Sequence, residues 1–393
     1  MSDSIVILGA ARTPMGGFQG DFAGLAAHDL GGAAIKAAIE RAGISPAIVD
    51  EVLFGNCLMA GQGQAPARQA GFKGGLPAST GAVTLSKMCG SGMEATLLAN
   101  DQLIAGSRDV MVSGGMESMT NAPHLLLKGR SGIRIGHDRI YDHMMLDGLE
   151  DAYEPGRAMG TFGEQCADKY QFTREAQDAF ATASVQRARA AIESGAFQAE
   201  ITPVKVKGRA GDTVIAIDEG PGKVKLEKMS SLRPAFKKDG TITAASSSSI
   251  NDGAAALVLT RASTAKTLGA TPIAHIVGHA TFAQAPEWFT TAPVGAVQKL
   301  LKKIGWQVRD VDLWEINEAF AVVPMAAMKE LGISHDIVNV NGGACALGHP
   351  IGASGARIIV TLLYALKARG LKKGVATLCI GGGEGTALAI ELL

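Results

Sequence analysis

The chain has 393 residues, of which 47% are hydrophobic and 19% are charged. This is more than one hydrophobic core usually serves, so we expect two or three folded domains and no long disordered region. Basic and acidic residues balance at 37 each, which argues against a partner nucleic acid or an anionic membrane surface.

The five cysteines are odd in number and form no CxxC pair. A disulfide framework or a zinc site is therefore not expected, and we predict no metal and a reducing compartment. The first residues carry no basic flank, so they are interpreted as a first strand rather than a signal peptide. No apolar stretch is expected to reach the roughly 18 residues of a membrane span. Together these features predict a cytoplasmic protein.

The first 118 residues alternate short β-rich runs with amphipathic stretches. Strands are predicted over 5–8, 49–55, 83–87 and 109–113, and helices over 29–42 and 93–103. Strands that alternate with helices predict a mostly parallel sheet covered on both faces.

A lone thiol, Cys89, stands in a turn just before the predicted helix over 93–103. A helix N-terminus carries unpaired N–H groups and about half a positive charge. We therefore expect the pKa of Cys89 to be lowered and its thiolate to be favoured. Gly90 and Gly92 leave room for a bulky substrate. The alternative is that Cys89 is only a small buried hydrophobe.

From about residue 119 to residue 243 the chain is richer in charge, turns and methionine, and a polar loop over 244–250 follows. A helix is predicted over 173–194 with Thr173 as its N-cap, and a hairpin over 205–226. We interpret this segment as a loop domain inserted over the site. Its last residues include four serines that could bind amides or phosphates of a ligand, although a solvated linker is as consistent.

A second α/β half begins near Pro272 and repeats the first half. The turn and helix that follow Cys89 correspond to a turn with His349 and a helix predicted over 355–368. Such a repeat indicates two copies of one domain, so Cys89 and His349 should face each other across a pseudo-twofold axis. We predict a first half at 1–118 plus 250–270, the loop domain at 119–249, and a second half at 271–393.

Residues of the second half could complete a site around Cys89. His349 lies in a tight turn and could accept the thiol proton. Asn317, at the end of a predicted strand, could donate its amide to an oxyanion, although a turn-capping role is as consistent. Cys379 precedes three glycines that offer bare N–H groups, Gly381 among them. Three roles remain for Cys379: core packing, a redox pair with Cys89, or a separate acid or base.

Four motifs together resemble those of the thiolase family. They are Cys89-Gly90-Ser91-Gly92, Asn317-Glu318-Ala319-Phe320, Gly348-His349-Pro350-Ile351-Gly352 and Cys379-Ile380-Gly381-Gly382-Gly383. The resemblance covers essentially the whole chain. It implies an α/β fold in which duplicated thiolase-type halves form a five-layer αβαβα sandwich with an inserted loop domain.

The resemblance also implies an acyltransferase that condenses two acetyl-CoA to acetoacetyl-CoA and CoA, or thiolyses a 3-ketoacyl-CoA, by a ping-pong route. Cys89 would carry the acyl group after His349 takes its proton, and Cys379 would remove an α-proton. His349 and a water on Asn317 would hold the enolate oxygen. The N–H groups of Cys89 and Gly381 would hold the second oxyanion.

CoA and acyl-CoA are implied as substrates, with no further cofactor. The CoA contacts carried over from the family are Met159, Ala244, Ser248 and Phe320, with Lys223 or Lys225 in place of an arginine at the nucleotide. Phe289 stands where some relatives have methionine, which would reshape the acyl pocket. The segment 119–145 resembles the loop through which such enzymes form homotetramers.

Three rival functions differ in the residues they need. A non-enzymatic CoA-binding protein would be expected to have lost one of Cys89, Asn317, His349 and Cys379, and all four are present. A decarboxylating ketoacyl synthase pairs its cysteine with two histidines. A redox protein would use Cys89 and Cys379 as a pair. Fatty acid breakdown, polymer-precursor synthesis and the mevalonate route all fit the thiolase reading.

Overall fold

The computed structural model describes residues 3–208 and 211–393. The first part of the chain forms β1 (Ile5–Arg12), β2 (Gly16–Gly17), α1 (Ala27–Ala42), β3 (Glu51–Gly55), α2 (Pro66–Lys73), β4 (Gly81–Leu85), α3 (Ser91–Ile104) and β5 (Val110–Ser118). The middle part forms β6 (His124–Leu125), β7 (Tyr141–Asp142), α4 (Gly160–Tyr170), α5 (Arg174–Glu193), β8 (Val204–Val206), β9 (Thr213–Ile215) and α6 (Glu219–Lys223). The last part forms β10 (Asn251–Arg261), α7 (Ala262–Leu268), β11 (Ala274–Ala283), α8 (Ala292–Ile304), β12 (Leu313–Ile316), α9 (Val322–Leu331), α10 (Ala344–Leu347), α11 (Ile351–Arg369), β13 (Lys373–Ile380) and β14 (Glu384–Leu392).

The strands repeat one arrangement in the two halves of the chain. In the first half the order is β3-β5-β10-β1, and in the second it is β12-β13-β14-β11. The first pair of each set is parallel, and the later pairs are antiparallel. The two sets join where β1 pairs with β11 through only two residue pairs. The internal repeat predicted from the sequence is thus present as a repeat of strand order and direction.

The helices form three layers around these strands. α3 and α11 pack against each other and against strands of both halves, which places them in the middle. α1 and α2 cover the outer face of the first set of strands, and α8 and α9 cover the outer face of the second. The predicted fold class, a five-layer α/β sandwich, is confirmed by this packing.

Helix boundaries differ from the sequence prediction where glycines were read as helix breakers. α11 begins at Ile351 rather than at residue 355, and α3 begins at Ser91 rather than at residue 93. The glycines in these first turns allow the two helices to approach closely, so they lie inside the helices. Thr173 caps α5 as predicted, since its hydroxyl accepts the N–H of Ala176 at 3.2 Å.

The predicted hairpin over 205–226 is only partly formed. β8 and β9 are antiparallel but share just three residue pairs, and the chain then turns into α6. Arg209 and Ala210 lie outside the described residues. The predicted domain boundaries at 118, 250 and 270 stay a prediction, although β10 does lie between β1 and β5.

The expectation that no stretch suits a membrane span is wrong for α11. This helix has 19 residues and a mean hydropathy of 1.4, enough in length and composition to cross a bilayer. However, 89% of it is buried inside the protein. Its apolar character is therefore that of a core helix, covered on all sides by protein rather than by lipid.

A buried ion cluster ties the middle part of the chain to β1 and α11. Arg12 is fully buried, and its guanidinium donates to Glu200 at 2.5 Å and to Asp218 at 2.7 and 2.9 Å. Thr361 on α11 also donates to Glu200, at 3.1 Å. Because an unpaired buried charge is costly, these contacts must form together. They hold the segment that covers the site against both halves.

We predict that Gly115→Ala lowers the free energy of unfolding more than the same substitution at an exposed glycine does. A Cβ at Gly115 would lie 2.0 Å from the Gly352 carbonyl oxygen at the start of α11, so the helix would have to shift. Overpacking of this kind costs about 1–3 kcal/mol or more. Urea unfolding measures the loss. Gly24→Ala is the control, because a Cβ there meets nothing within 4 Å. Equal stabilities of the two variants would contradict the close approach.

Candidate active site

Cys89 lies in the turn between β4 and α3. The Ser91 hydroxyl accepts the Lys87 N–H at 2.8 Å and donates to the Met88 carbonyl at 2.6 Å, which closes the turn. Met88 has a φ of +46°, a left-handed conformation that is unfavourable for a long side chain. The turn thus holds the sulfur of Cys89 in front of α3 at the expense of backbone strain.

The expected lowering of the Cys89 pKa is wrong. Burial raises the pKa of the thiol to about 11, and backbone N–H groups of Gly381 and of Cys89 itself, which lower it, do not compensate. The enclosed sulfur has only a few hydrogen-bond donors around it. The cost of removing water from the thiolate is therefore larger than the stabilisation that the N-terminus of α3 gives to it. At neutral pH Cys89 is therefore a thiol, and it needs a base to become a nucleophile.

His349 can be that base. It is buried, and its Nδ1 lies 2.5 Å from the Ser354 hydroxyl. Its Nε2 has no hydrogen-bond partner among the described residues. Burial, aided by the positive charge of Arg357, lowers the pKa of His349 to about 3. The ring is neutral at neutral pH, as a proton acceptor must be.

The turn that carries His349 depends on the glycine before it. Gly348 has φ of +94°, and a Cβ there would lie 1.9 Å from the side-chain oxygen of Asn251. The His349 N–H donates to the Ser249 carbonyl at 3.2 Å. The serine-rich segment and β10 therefore hold this turn, which could not accept another residue at position 348.

Asn317 ends β12 and presents a buried amide without a partner. The side chain is 1% exposed, and neither its nitrogen nor its oxygen has a hydrogen-bond partner among the described residues. An unsatisfied buried amide costs about 1–3 kcal/mol. The group is thus suited to bind a water or a ligand oxygen, whereas a turn-capping role would have given the amide a partner in the backbone.

Cys379 and the glycines after it lie beside Cys89. Burial raises the pKa of Cys379 well above its ordinary value, and the nearby Cys89 raises it further. The Gly381 N–H points at the Cys89 sulfur. Gly382 and Gly383 have φ of +99° and +93°, so the turn that presents this N–H requires glycine at both positions.

A cavity of about 350 Å³ joins residues predicted from the sequence. Seven of them line it: Cys89, Met159, Ser248, Phe289, Phe320, His349 and Gly381. Cys379 lies behind this surface, where it packs with Phe289, Ala319 and Phe320. The structure therefore brings together most of the predicted site, although its members come from both halves of the chain.

One wall of the cavity was not predicted. Residues 146–153 line it, and Met145–Leu149 forms a single wide helical turn of the i to i+5 type. Such turns are rare and recur at functional sites. No residue pattern in this segment distinguishes it from a loop, so the sequence offered no signal for it.

Lys223 and Ala244 lie in a second, neighbouring cavity of about 570 Å³. Lys225, Lys228 and Phe18 also line it. Ser248 faces the first cavity and Ser249 the second, so the serine-rich segment separates the two. The Lys223 ammonium pairs with the Glu219 carboxylate. Lys225 or Lys228 is thus freer to meet an anionic ligand than Lys223 is.

Two buried carboxylates support the site, and sequence reasoning missed both. Glu117 accepts the N–H groups of Cys57 (2.9 Å), Leu58 (3.1 Å) and Gly352 (3.0 Å), which links the end of β3 to the start of α11. Glu318, next to Asn317, accepts the Ser184 hydroxyl at 2.7 Å. Glu318 was visible in its motif, whereas Glu117 has no motif around it.

No group of His, Cys, Asp and Glu in residues 3–208 and 211–393 is arranged to hold a metal ion. The chemistry available is that of two thiols, one neutral imidazole, an unpaired amide and convergent N–H groups. That set suits acyl transfer and the formation of an enolate, which both develop charge on oxygen.

Comparison with known proteins gives full-length matches. The family model for the thiolase N-terminal domain matches residues 5–263, and that for the thiolase C-terminal domain matches residues 270–392. The chain is 51% identical over 392 residues to acetyl-CoA acetyltransferase 2 of Arabidopsis thaliana, covering 99% of this chain and 97% of that protein.

Two solved structures match as completely. An acetyl-CoA acetyltransferase from Syntrophomonas wolfei has a TM-score of 0.96 at 42% identity and covers 100% of both chains. A thiolase from Ascaris suum, in complex with coenzyme A, has a TM-score of 0.94 at 42% identity and covers 99% of this chain and 100% of its own.

We predict that alkylation of Cys89 by iodoacetamide, without substrate, rises steeply with pH. Because the pKa of Cys89 is about 11, the thiolate fraction should grow about tenfold per pH unit from pH 7 to pH 10. Mass spectrometry of the Cys89 peptide measures the rate, with N-acetylcysteine as the reference thiol. A rate that already levels off below pH 8 would show a lowered pKa instead.

Proposed function

The chain belongs to the thiolase family, and from this membership we propose that it is an acetyl-CoA acetyltransferase. It condenses two acetyl-CoA to acetoacetyl-CoA and CoA, and in the reverse direction it thiolyses a 3-ketoacyl-CoA. The observation that carries the proposal is the cavity shared by Cys89, His349 and Gly381. The same cavity argues against a protein that only binds CoA, since binding needs no buried thiol and imidazole.

In the first half-reaction His349 accepts the Cys89 thiol proton at Nε2. The thiolate attacks the thioester carbon of acetyl-CoA, and the N–H groups of Cys89 and Gly381 bind the oxyanion that forms. The carbon–sulfur bond to CoA breaks, and the leaving CoA thiolate takes the proton from His349. Because the pKa of Cys89 is raised to about 11 and that of His349 is lowered to about 3, the proton moves only as the new bond forms.

In the second half-reaction Cys379 removes an α-proton from a second acetyl-CoA. The enolate oxygen accepts the Nε2–H of protonated His349 and a hydrogen bond from a water on the Asn317 amide. Neither His349 Nε2 nor the Asn317 amide has a protein partner among the described residues. The enolate carbon attacks the acetyl group on Cys89, and Cys89 leaves as the thiolate. Two sets of donors for two oxyanions supply the stabilisation that an α-carbanion lacks in water.

The two cavities support a path for CoA. We assign the nucleotide end to the 570 Å³ cavity, where Lys225 and Lys228 supply positive charge and Ala244 lies on the wall. The pantetheine would pass Ser248, Met159 and Phe320 towards Cys89. The related Ascaris suum thiolase in complex with coenzyme A supports a CoA substrate. We therefore propose CoA and acyl-CoA as substrates and no further cofactor.

Phe289 is an aromatic side chain on the wall of the cavity that holds Cys89. It is 2% exposed and packs edge-to-face on Phe162 with ring centroids 6.1 Å apart. A ring held on its edge by a second ring cannot turn away easily. We therefore propose a preference for acetyl and acetoacetyl groups over long acyl chains.

We propose a homotetramer built through two exposed apolar surfaces. One is the free edge strand β4 with the outer side of α3, where Val83, Leu98 and Ile104 are exposed. The other is the assembly segment, residues 124–141, in which Leu127, Ile135 and Ile140 are exposed. Exposed apolar side chains that are grouped on one surface favour an interface, and an unpaired edge strand favours pairing with a second copy. We also propose a cytoplasmic location, because the mechanism needs two reduced thiols. A role in fatty acid metabolism is proposed because the proposed reaction joins or splits acyl-CoA.

We predict that Cys89→Ala abolishes thiolysis of acetoacetyl-CoA, while Cys379→Ala abolishes thiolysis yet still forms an acetyl-enzyme from acetyl-CoA. The reason is that only Cys89 carries the acyl group, whereas Cys379 acts on the carbon. Loss of acetoacetyl-CoA absorbance measures the first, and CoA release with acetyl-CoA alone measures the second. A 3-ketoacyl-CoA with a longer chain, run beside acetoacetyl-CoA, tests the proposed preference for short acyl groups. A folded wild type that thiolyses neither would refute the proposal.

We predict that Ile135→Asp separates the tetramer into dimers. Ile135 is 96% exposed in the single chain, and in the proposed tetramer an aspartate at this position would place an unpaired charge inside the interface. Light scattering on a sizing column measures the mass. Val214→Asp is the control, since Val214 is 62% exposed on β9, away from both proposed surfaces. A wild type that is a monomer, or an Ile135→Asp protein that stays tetrameric, would contradict the assembly.

A further inference from the structure

The imidazole of His349 has one protein partner among the described residues, the hydroxyl of Ser354. Nδ1 and Oγ lie 2.5 Å apart, and both side chains are buried. Ser354 is in the first turn of α11, one turn after His349, so the same helix that begins beside the histidine also carries its partner. Whether Nδ1 donates or accepts here decides which ring nitrogen carries the proton.

The Ser354 hydroxyl has a second contact that decides this question. Its Oγ lies 2.9 Å from the Pro350 carbonyl oxygen, four residues back along the chain. A carbonyl can only accept, so the single hydroxyl proton lies towards Pro350. The lone pairs of Oγ then face Nδ1, and this geometry favours Nδ1 as the donor.

We propose that Ser354 is a positioning residue that keeps the proton of neutral His349 on Nδ1, so that Nε2 of the neutral ring faces the cavity as a bare proton acceptor. This inference rests on the proposed function only for its kinetic consequence. The assignment of the proton itself follows from the two Ser354 contacts.

The arrangement determines where each proton goes. In the first half-reaction Nε2 takes the Cys89 proton, and the imidazolium returns it to the leaving CoA sulfur. In the second, Nε2 takes the Cys379 thiol proton, so Cys379 can remove the α-proton as a thiolate. The imidazolium so formed donates Nε2–H to the enolate oxygen. When Cys89 is expelled, it recovers that proton, and both thiols and the neutral ring are restored.

The charge of Arg357 also favours the neutral form of the His349 ring. The positive charge of Arg357 disfavours a resting imidazolium, which lowers the pKa of His349 together with burial. The imidazolium therefore exists only opposite the thiolate or enolate that its own proton transfer created. By contrast, His143 has both ring nitrogens engaged, since Nδ1 lies 2.6 Å from Asp147 and Nε2 accepts the Ala60 N–H at 3.3 Å.

The first test is spectroscopic and uses the free enzyme. Solid-state nitrogen NMR of protein labelled at its eight histidines distinguishes Nδ1–H from Nε2–H rings, and a His349→Asn spectrum identifies the His349 signals. We expect Nδ1–H in the wild type. In Ser354→Ala, the buried Nδ1 loses its acceptor, so the proton should move to Nε2, where the cavity offers water. An Nε2–H signal in the wild type would overturn the proposal.

The second test separates positioning from stability. In Ser354→Ala the rate of CoA release from acetyl-CoA should fall about 10²-fold with little change in KM, as for loss of a general base. Ser354→Thr keeps a hydroxyl and should recover most of the rate. Thr361→Ala is the matched control, because it also removes a buried hydroxyl from α11. The Thr361 hydroxyl donates to Glu200 and not to His349.

The outcomes are distinguishable from failure of the proposed function. If the wild type released no CoA from acetyl-CoA, the function would fail while the NMR assignment stood. If Ser354→Ala lost no more rate than Thr361→Ala, or kept Nδ1–H, the role of Ser354 would be refuted while the function stood. If Ser354→Ala did not fold, the wild-type spectrum and the Ser354→Thr rate would still decide.

Discussion

The site depends on how closely α3 and α11 approach each other in the middle layer. A Cβ at Gly92 would lie 2.8 Å from the Ala356 nitrogen, and one at Gly355 would lie 2.4 Å from the Met93 nitrogen. Each helix begins directly after one reactive side chain, Cys89 or His349. The backbone contact through glycines therefore sets the distance between a thiol and an imidazole that are far apart in the sequence. Glu117 adds a buried carboxylate that binds the start of α11 to the end of β3.

Burial makes the resting site uncharged. It raises the pKa of Cys89 and Cys379 and lowers that of His349, so each reactive group is in its neutral form near pH 7. In the mechanism that we propose, charge appears only during the reaction, when a proton moves from the sulfur of Cys89 to the nitrogen of His349. The Gly381 N–H and the Asn317 amide would then bind the oxygen anions that follow. Because the thiolate is the reactive form of cysteine, a neutral thiol reacts slowly until a base removes its proton.

The fold and most of the residues that meet at the site could be predicted from the sequence, because both follow from local residue patterns and from an internal repeat. Matching strand-turn-helix units predicted that Cys89 and His349 would meet, and both now line one cavity. The sequence could not predict effects that arise from contacts between segments far apart in the chain. The direction of the Cys89 pKa depends on desolvation by both halves, and the start of α11 at Ile351 depends on glycines that fit against α3. The wall at 146–153 and the Lys223–Glu219 pair follow from packing alone.

The central claim is that Cys89 carries the acyl group. It is tested most directly by incubating the enzyme with isotopically labelled acetyl-CoA, digesting it in acid, and locating the label by peptide mass spectrometry. The account predicts labelled acetyl on the peptide that contains Cys89, its removal by added CoA or by neutral hydroxylamine, which cleaves thioesters, and no label on that peptide in Cys89→Ala. Label on Cys379 with Cys89 unmodified, in an enzyme that thiolyses acetoacetyl-CoA, would contradict it.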